Sequence, residues 1–200
     1  MNVIELNKFR YFSETTLFAF VDLQTEYVSE GRAYFLNNAV ECLSNCRRLL
    51  LEARRLRLTI AHFRRITSTQ FFNKETRFSH WVEEFHPRPN EMVFEREGFS
   101  CYENNSFRDF IDHVKDPVII LAGLTGEHSC LATAVDAHRR KHNLIYVSDA
   151  STSEAIGHFT THDSHTLVTR VINGFAQVAK TEEVLSMIGM ERTKSFTGTK

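Results

Sequence analysis

Residues 116–137 read DPVIILAGLTGEHSCLATAVDA. From Pro117 to Gly123 the segment is a continuous apolar run bounded by a proline and a glycine. A polar loop follows, and then a helical pattern over Glu127–Lys141. A short run that is apolar throughout predicts a strand buried on both faces, as in a parallel sheet. The loop between such a strand and its helix is a place where α/β enzymes hold a nucleophile. Here Ser129 and Cys130 stand side by side in it.

Other segments repeat the strand–helix alternation. TLFAFVD (Thr16–Asp22), RLTIAHF (Arg57–Phe63), EMVFER (Glu91–Arg96), NLIYVSDA (Asn143–Ala150) and AQVAK (Ala176–Lys180) read as further strands. Helical spacing predicts helices over Ala33–Leu56, Ser106–Val114 and His162–Phe175, and a last one opened by a Thr181 cap and the acidic Glu182 and Glu183. In the first of these, Leu36, Val40, Leu43 and Leu50 make the apolar face, and Arg47, Arg48, Arg54 and Arg55 are placed outside. The expected fold class is α/β: a single-domain, three-layer, doubly wound, mostly parallel sheet with helices on both faces, spanning 1–200 with a core of about 16–189. Ligands in such sheets bind beyond the carboxyl ends of strands, near the point where strand order reverses. That rule directs attention to Asp22, to the segment around Arg96 and to the loop after Gly123.

Bulk composition narrows the classes. The 200 residues are 42% hydrophobic and 24% charged with a net charge of -1, which suits a folded globular chain. A nucleic-acid partner is not expected, since no basic face stands out. No apolar run approaches the ~20 residues of a membrane span, and MNVIELNKFRYFSE has no apolar leader core. Four cysteines without CxxC spacing point to free thiols in a reducing, cytoplasmic setting.

Three blocks resemble the isochorismatase-like hydrolase superfamily. VDLQTEYV is similar to its Asp-x-Gln block after the first strand. EMVFEREGFSCY is similar to a block in which a lysine is followed four residues later by Ser-Ala-Phe. LAGLTGEHSCLATAVDAHRRKHNLIYVSDAS is similar to its nucleophile block, roughly Gly-x-x-Thr-x-x-Cys-Val-x-x-Thr-Ala-x-Asp-Ala, with a following strand that ends in Asp-Ala. The resemblance covers about Thr16 to Gly189. It implies a hydrolase of small molecules, with an Asp, a Lys and a Cys as the catalytic set in the cysteine hydrolases of the superfamily. Isochorismatases proper lack the Cys and cleave a vinyl ether.

Carried over by position, Asp22 matches the Asp and Gln24 the Gln. Arg96 stands where the lysine belongs. Counting from Gly123 and from Thr133 alike places Ser129 at the nucleophile position, with Cys130 at the apolar position after it. Gly126 replaces the family's threonine, so an altered loop that presents Cys130 stays open. The candidate catalytic residues are therefore Asp22, Arg96, Ser129 and Cys130. The candidate substrate contacts are Gln24, Leu124, Thr125 and His128. A serine needs a base where a thiolate does not, and an arginine stays protonated and binds a carboxylate in a fork. Three functions remain: a hydrolase centred on Asp22, acting on an amide or a vinyl-ether or other C–O bond; a cysteine amidase using Cys130; or a catalytically degenerate protein that binds a small molecule or serves a structural role.

Metal and cofactor are expected to be absent. His158, His162 and His165 have no carboxylate or cysteine at a familiar ligand spacing, and AHFRRITSTQ lacks the Asp-x-His metal block of the family's nicotinamidase branch. His62 is a further candidate substrate contact. Cys42, Cys46 and Cys101 read as core. Phe71, Phe72, Phe78 and Trp81 are expected to wall the pocket or a subunit contact. The resemblance implies a homo-oligomer and a small-molecule substrate as the partners.

Overall fold

The structure, a computed structural model, describes residues 15–197, with side chains to 189. Residues 1–14 lie outside the described residues. Six parallel strands form one sheet: β1 (Thr16–Val21), β2 (Thr59–Arg65), β3 (Met92–Arg96), β4 (Val118–Leu124), β5 (Asn143–Thr152) and β6 (Gln177–Ala179), in the order β3-β2-β1-β4-β5-β6. All six predicted strands are present. Helices are α1 (Ala39–Arg55), α2 (Asn105–Asp112), α3 (Leu131–Arg139), α4 (Thr161–Ile172) and α5 (Thr181–Thr197).

The sheet separates two apolar cores. Alternate side chains of the central strands point to opposite faces, as the period of two requires. Phe18, Phe20, Ile120, Ala122 and Leu124 pack with Leu49 and Leu50 of α1 and Val184 of α5. Leu17, Ala19, Val21, Ile119 and Leu121 pack with Phe107 of α2, Ala134 of α3 and Val168 of α4. Every residue of β1 and β4 is buried, which is why both read as unbroken apolar runs. Strand order reverses between β1 and β4, and the two strands end side by side, with Val21 opposite Gly123. Among the described residues no helix is long and apolar enough to cross a membrane.

Several local expectations differ from what forms. Helix α1 starts at Ala39 rather than Ala33. Residues 33–38 turn instead, and Leu36 anchors them with its side chain in the core and its N–H donating to Tyr27 O at 2.8 Å. The buried face of α1 is Ala39, Cys42, Cys46, Leu49, Leu50 and Ala53, and Val40 is 80% exposed. Arg54 is not outside: its guanidinium grips both oxygens of the buried Glu91, at 2.7 and 2.9 Å. Thr181 is the first residue of α5. Its hydroxyl donates to Asp149 Oδ1, and Glu183 accepts from the Lys180 N–H. Helix α3 is preceded by a π-helical turn over Gly126–Cys130.

Candidate active site

Asp22 follows β1 in the left-handed conformation, with φ of 54°. Aspartate tolerates this region better than most residues. Its N–H donates to Phe63 O at 2.8 Å and its carbonyl accepts from Gln24 N at 2.7 Å, so the turn is fixed from both sides. Gly123, next to last in the facing strand β4, has φ of 127°, and a Cβ there would lie 2.1 Å from Val21 O. Only glycine allows β1 and β4 to approach this closely, and the approach brings the loop after β4 to Asp22.

Arg96 is the last residue of β3. It reaches past β2, and its side chain is fully buried. Its Nη2 donates to Asp22 Oδ2 at 2.7 Å and to Ser129 Oγ at 3.1 Å, and its Nη1 donates to Gly98 O. Ser129 Oγ donates to the same Asp22 Oδ2 at 2.6 Å. Arginine meets a single carboxylate oxygen here, in place of the expected fork. Asp22 Oδ1 and Arg96 Nε are buried without a partner. Burial opposes the charge on Arg96, but the Asp22 carboxylate, with Cys101 and Tyr27 nearby, outweighs it and raises the pKa above that of a free arginine. The guanidinium is thus a fixed positive charge and not a proton donor.

The structure brings together three of the four catalytic candidates. Cys130, the fourth, is packed in the core between α3 and the sheet, fully buried, with Sγ 3.8 Å from Gly123 O and 3.7 Å from Ser151 Oγ. Burial pushes its thiol pKa well up, and the hydrogen bond to Ser151 does not offset this. A buried neutral thiol is a poor nucleophile; Cys130 takes the apolar position expected after Ser129, and the alternative of an altered loop that presents it as a catalytic residue does not form.

The substrate-contact candidates divide. Gln24 uses its amide as a brace: Nε2 donates to Arg65 O and Ser79 O, and Oε1 accepts from Arg65 N. The Leu124 side chain lies in the α1-side core. Thr125 is buried, joined to Leu124 by a cis peptide, and its Oγ1 meets His128 Nδ1 at 3.3 Å. The half-exposed His128 stacks on Phe99 with centroids 4.7 Å apart. His62 does not serve the site. It is buried against Phe20 and Trp81, with Nε2 2.9 Å from Glu91. Phe72 and Trp81 are buried, and Phe78 lies under Arg32.

Sequence reasoning missed Tyr27, Arg65, Phe99, Glu127 and Glu154. Tyr27 is buried, and its pKa is raised first by that burial and then by the nearby Asp22. The Arg65 guanidinium sits 4.7 Å over the Phe99 ring, extending the stack that His128 begins. Glu127 Oε1 accepts from the Glu154 N–H at 3.2 Å, and burial followed by the Glu127 charge raises the Glu154 pKa. Position alone marks three of these: Tyr27 follows Gln24 by three, Phe99 precedes Ser100, and Glu127 precedes Ser129 by two.

Among the described residues no three His, Cys, Asp or Glu side chains converge as metal ligands. His165 holds Ser148 O at 2.7 Å and Ser153 Oγ at 3.2 Å.

A carboxylate at the end of one central strand faces a hydroxyl at the start of the helix after the other, at the sheet's reversal point, where ligands of such α/β sheets bind. Residues 16–183 match the isochorismatase domain, and the chain belongs to the isochorismatase family of hydrolases. Its fold is shared with an isochorismatase from Pseudomonas putida KT2440, at 21% identity over 92% of this chain and 93% of that one, with a TM-score of 0.80. It is shared also with a cysteine hydrolase from Pseudomonas syringae pv. phaseolicola 1448A (17% identity, 88% and 93% covered, TM-score 0.78). An isochorismatase-like hydrolase from Alkaliphilus metalliredigens matches at 16% identity over 86% and 98%, with a TM-score of 0.75. At these identities the likeness concerns the fold. No curated protein matches by sequence.

Proposed function

We propose that the chain is a small-molecule hydrolase in which Ser129 attacks the carbonyl carbon of an amide or ester-type bond. Asp22 Oδ2 takes the hydroxyl proton as the Oγ–C bond forms, and the amine or alcohol leaves with that proton as the C–N or C–O bond breaks. Water then attacks the acyl carbon and gives a proton to Asp22; the Oγ–C bond breaks, Oγ takes that proton back, and the carboxylic acid leaves. Arg96 balances the charge that develops on Oγ. The first amides of the turn over Gly126–Cys130 are donors that a helix start leaves unpaired, suited to an oxyanion.

The observation that carries this reading is the 2.6 Å contact from Ser129 Oγ to Asp22 Oδ2, with Arg96 Nη2 bonded to both atoms. An acid role for Asp22 toward a vinyl ether has less support, because Oδ2 already accepts from two donors. A panel of small amides, esters and vinyl ethers tests it, together with a serine-directed fluorophosphonate probe and mass spectrometry. Turnover with the probe on Ser129 is expected. A panel in which only vinyl ethers are cleaved, with Ser129 unlabelled, would overturn it.

A second reading, ligand binding without turnover, draws on one fact: the three side chains bond to one another, and none of the three residues is more than 4% exposed. On that reading the panel stays silent while a small molecule binds.

The chain is further read as one domain working as a homo-oligomer in the cytoplasm. Four free, buried cysteines fit a reducing compartment. An exposed apolar group at Ile156, Phe159, Leu167 and Val171 fits self-association.

A further inference from the structure

An open hollow lies away from Asp22. A groove of about 650 Å³ lies beyond the carboxyl ends of β5 and β6, between α1 and α4. Its size is that of a small-molecule site. It continues past Arg170 into a shallower recess of about 490 Å³ beside Asn173 and Val178.

Charge in the groove is arranged unevenly. Arg170 of α4 and Lys180, at the end of β6, line it, and among the described residues neither has a carboxylate partner. Exposed His162 stands at the start of α4. Of the two carboxylates in the lining, Asp149 is occupied: its Oδ1 accepts from the Thr181 N–H and hydroxyl, both at 2.8 Å. Glu41 of α1 is the other. On α1, by contrast, Arg48 pairs with Glu182 and Arg47 with Glu84. A hollow that holds an unpaired guanidinium and an unpaired ammonium suits a doubly charged oxyanion, since guanidinium forks match phosphate oxygens and ammonium adds a point charge. Thr161 and Thr166 line the same groove, and a body carrying its own hydroxyl has Glu41 as an acceptor.

We infer that this groove binds a small organic phosphate monoester with a hydroxylated body, held by Arg170 and Lys180 at the phosphate and by Glu41 at the body. The site is separate from Asp22, Arg96 and Ser129, none of which lines it.

Thermal shift and isothermal titration of the full chain test this, with glycerol 3-phosphate, inorganic phosphate, succinate and sodium chloride at matched ionic strength as probes. Glycerol 3-phosphate is expected to give a saturable rise in Tm above that of the salt. Inorganic phosphate should bind at least threefold more weakly, and succinate more weakly still. The double variant Arg170→Gln, Lys180→Gln replaces two exposed side chains, and circular dichroism checks its fold. It is expected to weaken glycerol 3-phosphate at least tenfold, and Glu41→Gln to weaken it without changing the affinity for inorganic phosphate. No saturable shift above sodium chloride would overturn the inference. So would equal binding by the double variant, which would place the anion elsewhere, or succinate binding as tightly as the phosphate ester.

Discussion

Ser129 Oγ and Asp22 Oδ2 lie 2.6 Å apart although 107 residues separate them in the chain. The contact exists because Gly123 lets β4 close onto β1 and because Asp22 turns out of β1 in the left-handed conformation. A hydroxyl held this close to a carboxylate is a donor whose proton already has a destination.

Replacing Asp22 separates chemistry from stability. Asp22→Asn is expected to lower kcat/KM on any cleaved substrate by about 100-fold or more, the scale of a lost general base. Asp22→Ala should do the same and also destabilise the fold by about 3–5 kcal/mol, because it leaves the buried Arg96 charge without its partner. Urea unfolding of both variants beside steady-state kinetics checks this. Undiminished turnover in Asp22→Asn would remove Asp22 from the mechanism.

Thiol chemistry distinguishes the adjacent positions. All four native cysteines are buried and free, so iodoacetamide should label the folded protein slowly. Ser129 is itself only 1% exposed, so Ser129→Cys is expected to label at least tenfold faster through the thiolate that the Arg96 guanidinium stabilises and not through access. Ser129→Ala should abolish activity, whereas Cys130→Ala should leave catalysis intact and cost about 1–2 kcal/mol of packing. Peptide mapping after labelling reads the site directly.

Acid should unfold the protein in two stages. Burial pushes the Glu91 carboxyl up, but hydrogen bonds from Arg54, the Arg88 N–H and His62 outweigh it and hold its pKa at about 2, against an ordinary 4.5. The folded state therefore binds that proton more weakly than the unfolded chain. The stability from Glu91 is complete above pH 4.5 and is lost as pH falls from 4.5 toward 2. His62 has its pKa lowered, chiefly by burial, so its contribution starts to fall below pH 6.5. Urea midpoints from pH 8 to pH 2 should show a shallow decline and then a steeper one. Glu91→Gln should flatten the steeper limb and lower stability at neutral pH by about 3 kcal/mol, since Arg54 is left unpaired.

Gly123→Ala is expected to cost roughly 3 kcal/mol or more, seen as a fall in Tm of about 6 °C or more. The new Cβ would meet Val21 O while φ stays in a region that side chains disfavour. A variant that melts with the native protein would show that β1 and β4 can separate without cost.

Much of this architecture is legible in the sequence because both central strands are buried on two faces. TLFAFV and VIILAGL are apolar without interruption for that reason. Asp22, Arg96 and Ser129 are found by counting within blocks, and each lies at a strand end or a helix start. Periodicity placed α1 six residues too early, because Leu36 is apolar for a loop contact with Tyr27 and not for a helix face. It also left Arg54 outside, because charge predicts exposure unless a partner such as Glu91, 37 residues away, is known. Gln24 and Leu124 stand in the right blocks, yet one braces the loops after β1 and β2 and the other fills the core. A block match fixes position and not the direction of a side chain.

Arg96 belongs to β3, a five-residue strand at the margin of the sheet that is held only by β2. If that strand peels back, Asp22 and Ser129 lose their shared cation without either of them moving. Amide exchange along Met92–Arg96 would then report the lifetime of the assembled site, and ligands that slow this exchange would do so from a distance, by pinning down a margin they never touch.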